Sequence, residues 1–321
     1  MIKKNRHAEA LIEALPHFQQ FRGQTIVIKY GGAAMENEDL VEQVLRDVVL
    51  LEAVGINPVL VHGGGKAYNR ALKARGVVAE VIDGLRVSDA ASMAVIEKVI
   101  REETNPNIVT GINKHGGRAQ GVMGQEVLQA RKLTLQKQNR TIDLGFVGEV
   151  TGVRAAILQK LIDEEIIPVI SHLGQDESGQ IYNINADIAA AEVAKALKAS
   201  RIIYLSDVNG LMRDPQRADS TISTLTIKQI NDLKQEGVIE GGMIPKVDSS
   251  VDALQHGVEK VHFLDGRMAH SMLMELFTDG GIGTEITADA PAGAARARPS
   301  LKGSETTGVE RKPRRIDPRH A

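Results

Sequence analysis

The sequence contains no cysteine and no tryptophan among its 321 residues. The lack of cysteine excludes disulfide bonds, a thiolate zinc site and a cysteine nucleophile. Aromatic residues make up 3% of the chain, as five Phe and four Tyr, which argues against a nucleic-acid reader built on stacking platforms. The formal net charge of −2 provides no field that would attract nucleic acid, so no nucleic-acid partner is expected.

Long apolar runs are also missing from the sequence. No stretch approaches the roughly 18–20 consecutive apolar residues of a transmembrane helix. The basic residues 1–7 are followed by Glu9 and Glu13 rather than by an apolar segment, which argues against a signal peptide. With 42% hydrophobic and 25% charged residues, the composition is typical of a soluble globular protein, and we expect a cytoplasmic one with no membrane partner.

The C-terminal residues 288–321 differ in composition from the rest of the chain. They hold four of the ten prolines and eight Lys/Arg against four Asp/Glu, with few large apolar residues. Such a segment cannot bury enough apolar surface to offset the entropy of ordering it. We therefore predict a disordered basic tail.

Before this tail, short β-rich runs alternate with helical periodicity. Strands are predicted at residues 25–30, 57–62, 166–171, 201–206 and 260–264, with helices between them. Repeated strand–helix–strand units indicate an α/β fold, an αβα sandwich with a mainly parallel central sheet. Residues 118–152 interrupt the pattern with short β-like pieces at 120–123, 127–135 and 145–150, which we interpret as hairpins.

Glycine clusters directly follow two of the predicted strands. Gly31-Gly32 and Gly63-Gly64-Gly65 lie where a parallel sheet binds its ligands, and their N–H groups could hold an anion. The alternative is a pair of tight strand-to-helix turns. Neither common nucleotide motif is present, since Leu60 and Ala67 break a P-loop pattern and no strand–GxGxxG–helix fingerprint occurs.

Three charged residues lie beside glycines or element ends. Lys29 precedes the end of the first strand, Lys246 follows Gly241-Gly242, and Asp187 begins a predicted helix. Each has an ordinary structural interpretation, because acids are common at helix N-termini and a first-turn lysine is often only solvated. Spacing alone leaves both interpretations open.

Several segments, taken together and in order, carry a family resemblance. They are Val27-Ile28-Lys29-Tyr30-Gly31-Gly32, Val61-His62-Gly63-Gly64-Gly65, Asp83-Gly84-Leu85-Arg86-Val87, Val147-Gly148-Glu149-Val150, Tyr182-Asn183-Ile184-Asn185-Ala186-Asp187, Ser206-Asp207-Val208-Asn209-Gly210-Leu211, Gly241-Gly242-Met243-Ile244-Pro245-Lys246 and Leu276-Phe277-Thr278-Asp279. In this combination the chain resembles the amino acid kinase family, in the branch that phosphorylates N-acetyl-L-glutamate.

The resemblance implies a kinase domain over residues 23–287. An N-lobe at 23–180 would bind N-acetylglutamate, a C-lobe at 181–287 would bind ATP, and residues 118–152 would form a lid. The implied reaction transfers the γ-phosphoryl group of MgATP to the side-chain carboxylate. Its product, N-acetyl-γ-glutamyl phosphate, belongs to arginine biosynthesis.

The resemblance also implies roles for single residues. Lys29 and Lys246 would stabilise the transferring phosphoryl group from either side, and Asp187 would hold both lysines. Gly31, Gly32 and the glycines at 63–65 would donate N–H groups to anions. The implied binding residues are Gly64, Gly65, Arg86 and Asn183 for N-acetylglutamate, and Ser206, Asp207, Gly210 and Leu211 for the adenosine side. Magnesium would be held mainly by the phosphates and water, so we assign no protein metal ligand.

An amphipathic helix is predicted at residues 7–21, within an N-terminal segment 1–22 that precedes the first strand, and Pro16 is expected to kink it. In the resembling group such a helix is typical of the arginine-inhibited type, where it links dimers into a hexamer, a trimer of dimers. The positions implied for the arginine site are His17, His262, Glu275 and Gly281. The alternatives are a helix packed on its own subunit and a dimer.

The sequence departs from the family pattern at Lys66-Ala67-Tyr68-Asn69, Gly124-Gln125-Glu126 and Asn105-Pro106-Asn107. These departures keep two alternatives open: a carboxylate kinase with an altered substrate, and an arginine sensor with little catalysis. The retained lysine pair and Asp187 argue against the sensor, since a sensor needs no phosphoryl clamp.

Overall fold

The computed structural model describes residues 2–288 except 36, 78–80, 83–84, 138–139, 215 and 218–219. Beyond residue 288, the predicted tail lies outside the described residues, as do Asp83 and Gly84. The helices are α1 (Ile2–Phe21), α2 (Glu38–Ala53), α3 (Gly65–Ala74), α4 (Ala90–Val99), α5 (Asn105–Lys114), α6 (Gly124–Val127), α7 (Ala155–Asp163), α8 (Ala186–Leu197), α9 (Ile227–Gln235), α10 (Met243–Gln255) and α11 (Ser271–Leu276). The strands are β1 (Thr25–Tyr30), β2 (Asn57–His62), β3 (Val81–Ile82), β4 (Leu85–Arg86), β5 (Ala119–Val122), β6 (Leu128–Lys137), β7 (Arg140–Val153), β8 (Ile167–Ser171), β9 (Leu173–Gln175), β10 (Ile181–Asn183), β11 (Arg201–Ser206), β12 (Thr224–Thr226), β13 (Lys260–Asp265) and β14 (Thr284–Thr287).

The main sheet has eight strands in the order β12-β14-β13-β11-β1-β2-β8-β5. Every neighbouring pair is parallel except β13 and β14, which are antiparallel. The strands predicted at residues 25–30, 57–62 and 201–206 are confirmed with the same bounds. The mainly parallel sheet is therefore confirmed.

Side chains of β1 alternate between two hydrophobic cores. Ile26 and Ile28 belong to the core that also contains residues of α2, α5 and α11. Val27 belongs to the opposite core, with residues of α8 and α10. Helices cover both faces, which confirms the αβα sandwich. Because strand side chains alternate with a period of two, Lys29 shares the face of Val27 and points toward α8.

The segment at residues 118–152 is only partly the hairpin insertion that we predicted. β6 and β7 do form an antiparallel hairpin, and with β9 and β10 they make a small closed sheet. The prediction for residues 120–123 was wrong, because β5 is an edge strand of the main sheet and pairs in parallel with β8. A four-residue strand is too short for its sequence to distinguish a hairpin arm from a parallel edge.

The two predicted lobes share the main sheet. β1, from the N-lobe, lies between β2 and β11, and β11 begins the C-lobe half of the sheet. The boundary between residues 180 and 181 stays a prediction.

The N-terminal helix α1 begins earlier than predicted and contains Pro16. Its last turns pack against the body, where the Phe18 ring contacts that of Phe277 edge-on at 4.8 Å. Further toward the N-terminus, Leu11, Ile12 and Leu15 are 64%, 68% and 43% exposed. Among the described residues, no helix is both long enough and apolar enough to span a membrane.

Candidate active site

Three charged side chains from separate elements meet at one edge of the sheet. Lys29 Nζ lies 3.1 Å from one carboxylate oxygen of Asp187, and Lys246 Nζ lies 3.8 Å from the other. The three side chains are only 13–15% exposed. The structure thus brings together the three residues predicted for phosphoryl transfer, with the carboxylate between the two ammonium groups.

The cluster is held in a largely desolvated environment. Burial alone would raise the pKa of Asp187, but the charges of Lys29 and Lys246 outweigh burial and hold that pKa below its usual value. Burial and the nearby Lys29 lower the pKa of Lys246, although the charges of Asp187 and Asp207 counteract them. One carboxylate therefore compensates two cations, and the cluster keeps a net positive charge that favours an anionic ligand.

Local structure explains the position of each helix-borne residue. Asn185 caps α8 by accepting the Asp187 N–H at 2.8 Å, and the carboxylate of Asp187 is favoured by the positive end of the helix dipole. At the start of α10, the hydroxyls of Ser249 and Ser250 donate to the carbonyl of Lys246 at 3.0 and 2.8 Å. The buried Tyr204 hydroxyl donates to the Asp187 carbonyl at 3.3 Å and lies 3.5 Å from Ser249 Oγ, so it links the two helices.

The first glycine pair follows β1 and allows close approach to the lysine. A Cβ at Gly31 would lie 3.0 Å from Lys29 Nζ, so a side chain there would displace the ammonium group. Gly32 has φ +68°, and a Cβ there would collide with the carboxylate of Asp207. The positive φ and the close approach of Asp207 therefore favour glycine at position 32, whereas a side chain at position 31 would mainly require Lys29 to move.

A cavity of about 280 Å³ opens beside the charged cluster. It is lined by all four residues predicted for substrate binding: Gly64, Gly65, Arg86 and Asn183. Gly64 and Gly65 line the cavity where α3 begins, and no side chain caps this helix end, whose first N–H groups have no partner within the helix. The Nη1 atom of Arg86 is buried and has no hydrogen-bond partner among the described residues, which makes it available to a carboxylate.

The residues predicted for the adenosine side lie at the carboxyl end of β11, and they are not among the described residues that line this cavity. Ser206 Oγ donates to Val208 O at 3.2 Å and shapes the turn that follows the strand. Gly210 has φ +83°, and Leu211, whose N–H donates to Thr284 Oγ1, is buried in the core. Asp207 lies against Gly32 and so connects this turn to the first glycine pair. Their nucleotide role stays a prediction.

Within the described part of the chain, no group of three or more His, Asp or Glu side chains could hold a metal ion. Asp187, the acidic residue of the cluster, is already engaged by two lysines. The assignment of no protein metal ligand stays a prediction.

The residues predicted for an arginine site lie near α11, away from the cavity. His262 and Glu275 form a buried pair at 2.8 Å, and the second oxygen of Glu275 accepts the N–H groups of Ile282 and Gly283. Burial would raise the pKa of Glu275, but these contacts hold it well below its usual value. His17 of α1 lies 3.7 Å from Asp279, in the loop that also contains Gly281.

Three residues at the cavity or beside the lysine–aspartate cluster were not predicted from the sequence: Tyr68, His172 and Tyr204. Tyr68 lies within one of the departures from the family pattern, and His172 follows the end of β8, so their positions carried a usable signal. Both line the cavity. Tyr204 is fully buried in β11, and its hydroxyl role could not be inferred without knowing which helices pack above it.

Comparisons with known proteins agree with this geometry. The family model described as "Amino acid kinase family" matches residues 24–265. This chain belongs to the amino acid kinase family. Proteins named acetylglutamate kinase from Acinetobacter baumannii and Desulfitobacterium hafniense are 47% and 48% identical to the kinase, over 87% and 88% of this chain and 94% and 97% of theirs.

Solved structures agree with the fold of the kinase. An N-acetylglutamate synthase from Neisseria gonorrhoeae, complexed with coenzyme A and N-acetyl-glutamate, matches with a TM-score of 0.79 at 28% identity. The match covers 88% of this chain but only 64% of that chain, so the kinase spans less than two thirds of the synthase. Carbamate kinase from Giardia lamblia bound to AMP-PNP matches with a TM-score of 0.60 at 18% identity, over 83% of this chain and 99% of that one.

Replacing Asp187 by Asn tests the electrostatics of the cluster. Without the carboxylate, the two lysines face each other as like charges, and the pKa of Lys246 should fall further. We expect the alkaline limb of the pH dependence of kcat to move about 1–3 pH units lower. Asp248→Asn, on α10 but paired with Lys234, is the matched control and should leave the limb in place. An unchanged limb in Asp187→Asn would show that the carboxylate does not hold Lys246 in its charged form.

Proposed function

We propose that this protein transfers the γ-phosphoryl group of ATP to the side-chain carboxylate of N-acetyl-L-glutamate, as an acetylglutamate kinase of arginine biosynthesis. The observation that carries the proposal is the Lys29–Asp187–Lys246 cluster beside a cavity that contains Arg86. Relatives at 46–48% identity over most of their length bear that enzyme's name and support the substrate assignment.

The reaction needs no general base. A carboxylate with a reference pKa of about 4.3 is already ionised at neutral pH. One of its oxygens attacks the γ-phosphorus, forming a C–O–P bond. The bond between the γ-phosphorus and the β,γ-bridging oxygen breaks, and ADP leaves with that electron pair. The protein therefore has to position two anions and neutralise the charge between them.

The described residues fit these two tasks. Lys29 and Lys246, on either side of Asp187, are point charges for the transferring phosphoryl group. The N–H groups of Gly31, Gly32, Gly64 and Gly65 are the further donors that we assign to the phosphoryl oxygens. The expectation was wrong for Gly63, because its N–H donates to the Tyr30 carbonyl at 3.0 Å. Arg86, whose Nη1 has no hydrogen-bond partner in the described part of the chain, would pair with the α-carboxylate of the substrate, and Asn183 would hold the same molecule.

Magnesium, when bound with ATP, would neutralise phosphate charge at this site. Because no cluster of acidic ligands exists among the described residues, we assign the ion to the phosphates and water. ATP is the expected phosphoryl donor because the chain belongs to a kinase family.

An acyl phosphate trap tests the reaction and its substrate together. Purified protein with MgATP and N-acetylglutamate should form a product that hydroxylamine converts to a hydroxamate, at a rate well above that with glutamate or aspartate. Preferred phosphorylation of a free amino acid would refute the acceptor and support the altered-substrate alternative. Arginine binding without any hydroxamate would instead support the sensor.

We further propose that arginine inhibits the kinase and that α1 joins dimers into a hexamer. The helix exposes Leu11, Ile12 and Leu15, a stripe that a second copy of α1 would cover. Near its C-terminal end, Phe18 and His17 contact the segment that follows α11. Binding of arginine beside Glu275 could therefore be transmitted to the helix.

Deleting residues 1–20 tests this arrangement. The truncated protein should behave as a dimer by light scattering, while the full chain behaves as a hexamer, because the apolar stripe is lost. It should also lose sensitivity to arginine. As a control, Leu50→Ala removes an exposed apolar residue from α2 and should keep the hexamer. A dimeric full-length protein that is indifferent to millimolar arginine contradicts the proposal.

A further inference from the structure

Two aromatic rings that the proposed mechanism does not use line the substrate end of the cavity. Tyr68, on α3, and His172, between β8 and β9, stack with ring centroids 6.1 Å apart and an interplanar angle of 30°. Both side chains are buried, and both border the cavity. We propose that this pair positions the two substrate-binding side chains, Arg86 and Asn183. The inference rests on the proposed function, since it concerns the site assigned to N-acetylglutamate.

The ring of Tyr68 supports the guanidinium of Arg86. The Cζ atom of Arg86 lies 5.1 Å from the centroid of that ring, a cation–π contact. Arg86 needs such support because it belongs to a ribbon in which β3 and β4 contribute only two residues each. The aromatic face holds the guanidinium in place, and no described residue forms a hydrogen bond with its Nη1.

The imidazole of His172 supports Asn183. His172 Nε2 lies 3.1 Å from Asn183 Oδ1, while Asn183 Nδ2 donates to Ser88 Oγ at 3.2 Å. Ser88 Oγ in turn donates to the carbonyl of Arg86 at 3.1 Å. Because Ser88 uses its proton on that carbonyl, it accepts from Asn183, so the amide oxygen faces the imidazole and His172 Nε2 is the donor.

These contacts form a closed circuit. It runs from the backbone of Arg86 through Ser88, Asn183 and His172 to the ring of Tyr68, and back to the guanidinium of Arg86. Burial lowers the pKa of His172 to about 4, so the imidazole stays neutral near pH 7 and adds no charge beside Arg86. The circuit thereby connects β4, α3, β10 and the residue between β8 and β9. These elements meet where Arg86 and Asn183 would bind one substrate molecule.

Steady-state kinetics of paired variants test the inference. His172→Ala and Tyr68→Leu should each raise the KM for N-acetylglutamate about tenfold, or about 1.4 kcal/mol. The kcat and the KM for ATP should stay within about twofold, because the lysine cluster is untouched. His172→Gln keeps a donor toward Asn183, and Tyr68→Phe keeps the ring under Arg86. Both should restore most of the affinity.

Tyr182→Leu is the control for loss of a buried tyrosine. The Tyr182 hydroxyl donates to Asp176 at 2.9 Å, so this variant should lower thermal stability without changing the KM for the acceptor. Unchanged KM values in His172→Ala and Tyr68→Leu overturn the inference. So does a loss of kcat at constant KM, or an equal rise of KM in the control.

Failure of the proposed function gives a different result. If the wild-type protein phosphorylates another carboxylate and not N-acetylglutamate, the same variants are assayed on that acceptor. A tenfold rise in its KM then supports the positioning role although the substrate assignment is wrong. An unchanged KM for that acceptor would overturn the positioning role as well as the substrate assignment. If His172→Ala does not fold, the KM values of Tyr68→Leu and Tyr68→Phe for the acceptor still test whether the ring positions Arg86.

Discussion

One buried carboxylate, that of Asp187, holds two ammonium groups that come from distant parts of the chain. Lys29 reaches it from the end of β1 and Lys246 from the first turns of α10. Without Asp187, two like charges would be buried in one site with no carboxylate between them. The arrangement requires β1, α8 and α10 to keep one relative position, and much of the central core serves that requirement.

The parallel sheet supplies this position. The alternation along β1 turns Lys29 toward the face covered by α8 and α10, where small residues of α8 pack closely on the strands. The Tyr204 hydroxyl then contacts both helices, at the Asp187 carbonyl of α8 and at Ser249 Oγ of α10. On the substrate side, the circuit through Ser88, Asn183 and His172 plays the corresponding part for Arg86. The lysine cluster, Arg86 and the glycine loops after β1 and β2 thus border one cavity.

Much of the central sheet and part of the site at its edge could be predicted from the sequence. The strands that end at Tyr30 and His62 have strong apolar patterns and glycine stops, so the position of Lys29 at the sheet edge followed from general rules. Only the family resemblance assigned Asp187 and Lys246 to the same site. The short strand β5 could not be assigned, because four residues do not determine a partner. Tyr68 and His172 were missed for a related reason. Tyr68 stacks on His172 although the two residues lie far apart in the sequence, and periodicity carries no information about such a pair.

The turnover of Lys246→Ala at saturating ATP and N-acetylglutamate tests the central claim most directly. If Lys246 neutralises the transferring phosphoryl group, kcat should fall by about 10²–10³, as it does when other preorganised electrostatic donors are removed. Lys234→Ala, which removes a lysine from the neighbouring helix α9, should keep the wild-type kcat. A fall of less than about tenfold in Lys246→Ala, against that range of effects, would contradict the account, because the lysine–aspartate–lysine cluster would then not be what stabilises the reaction.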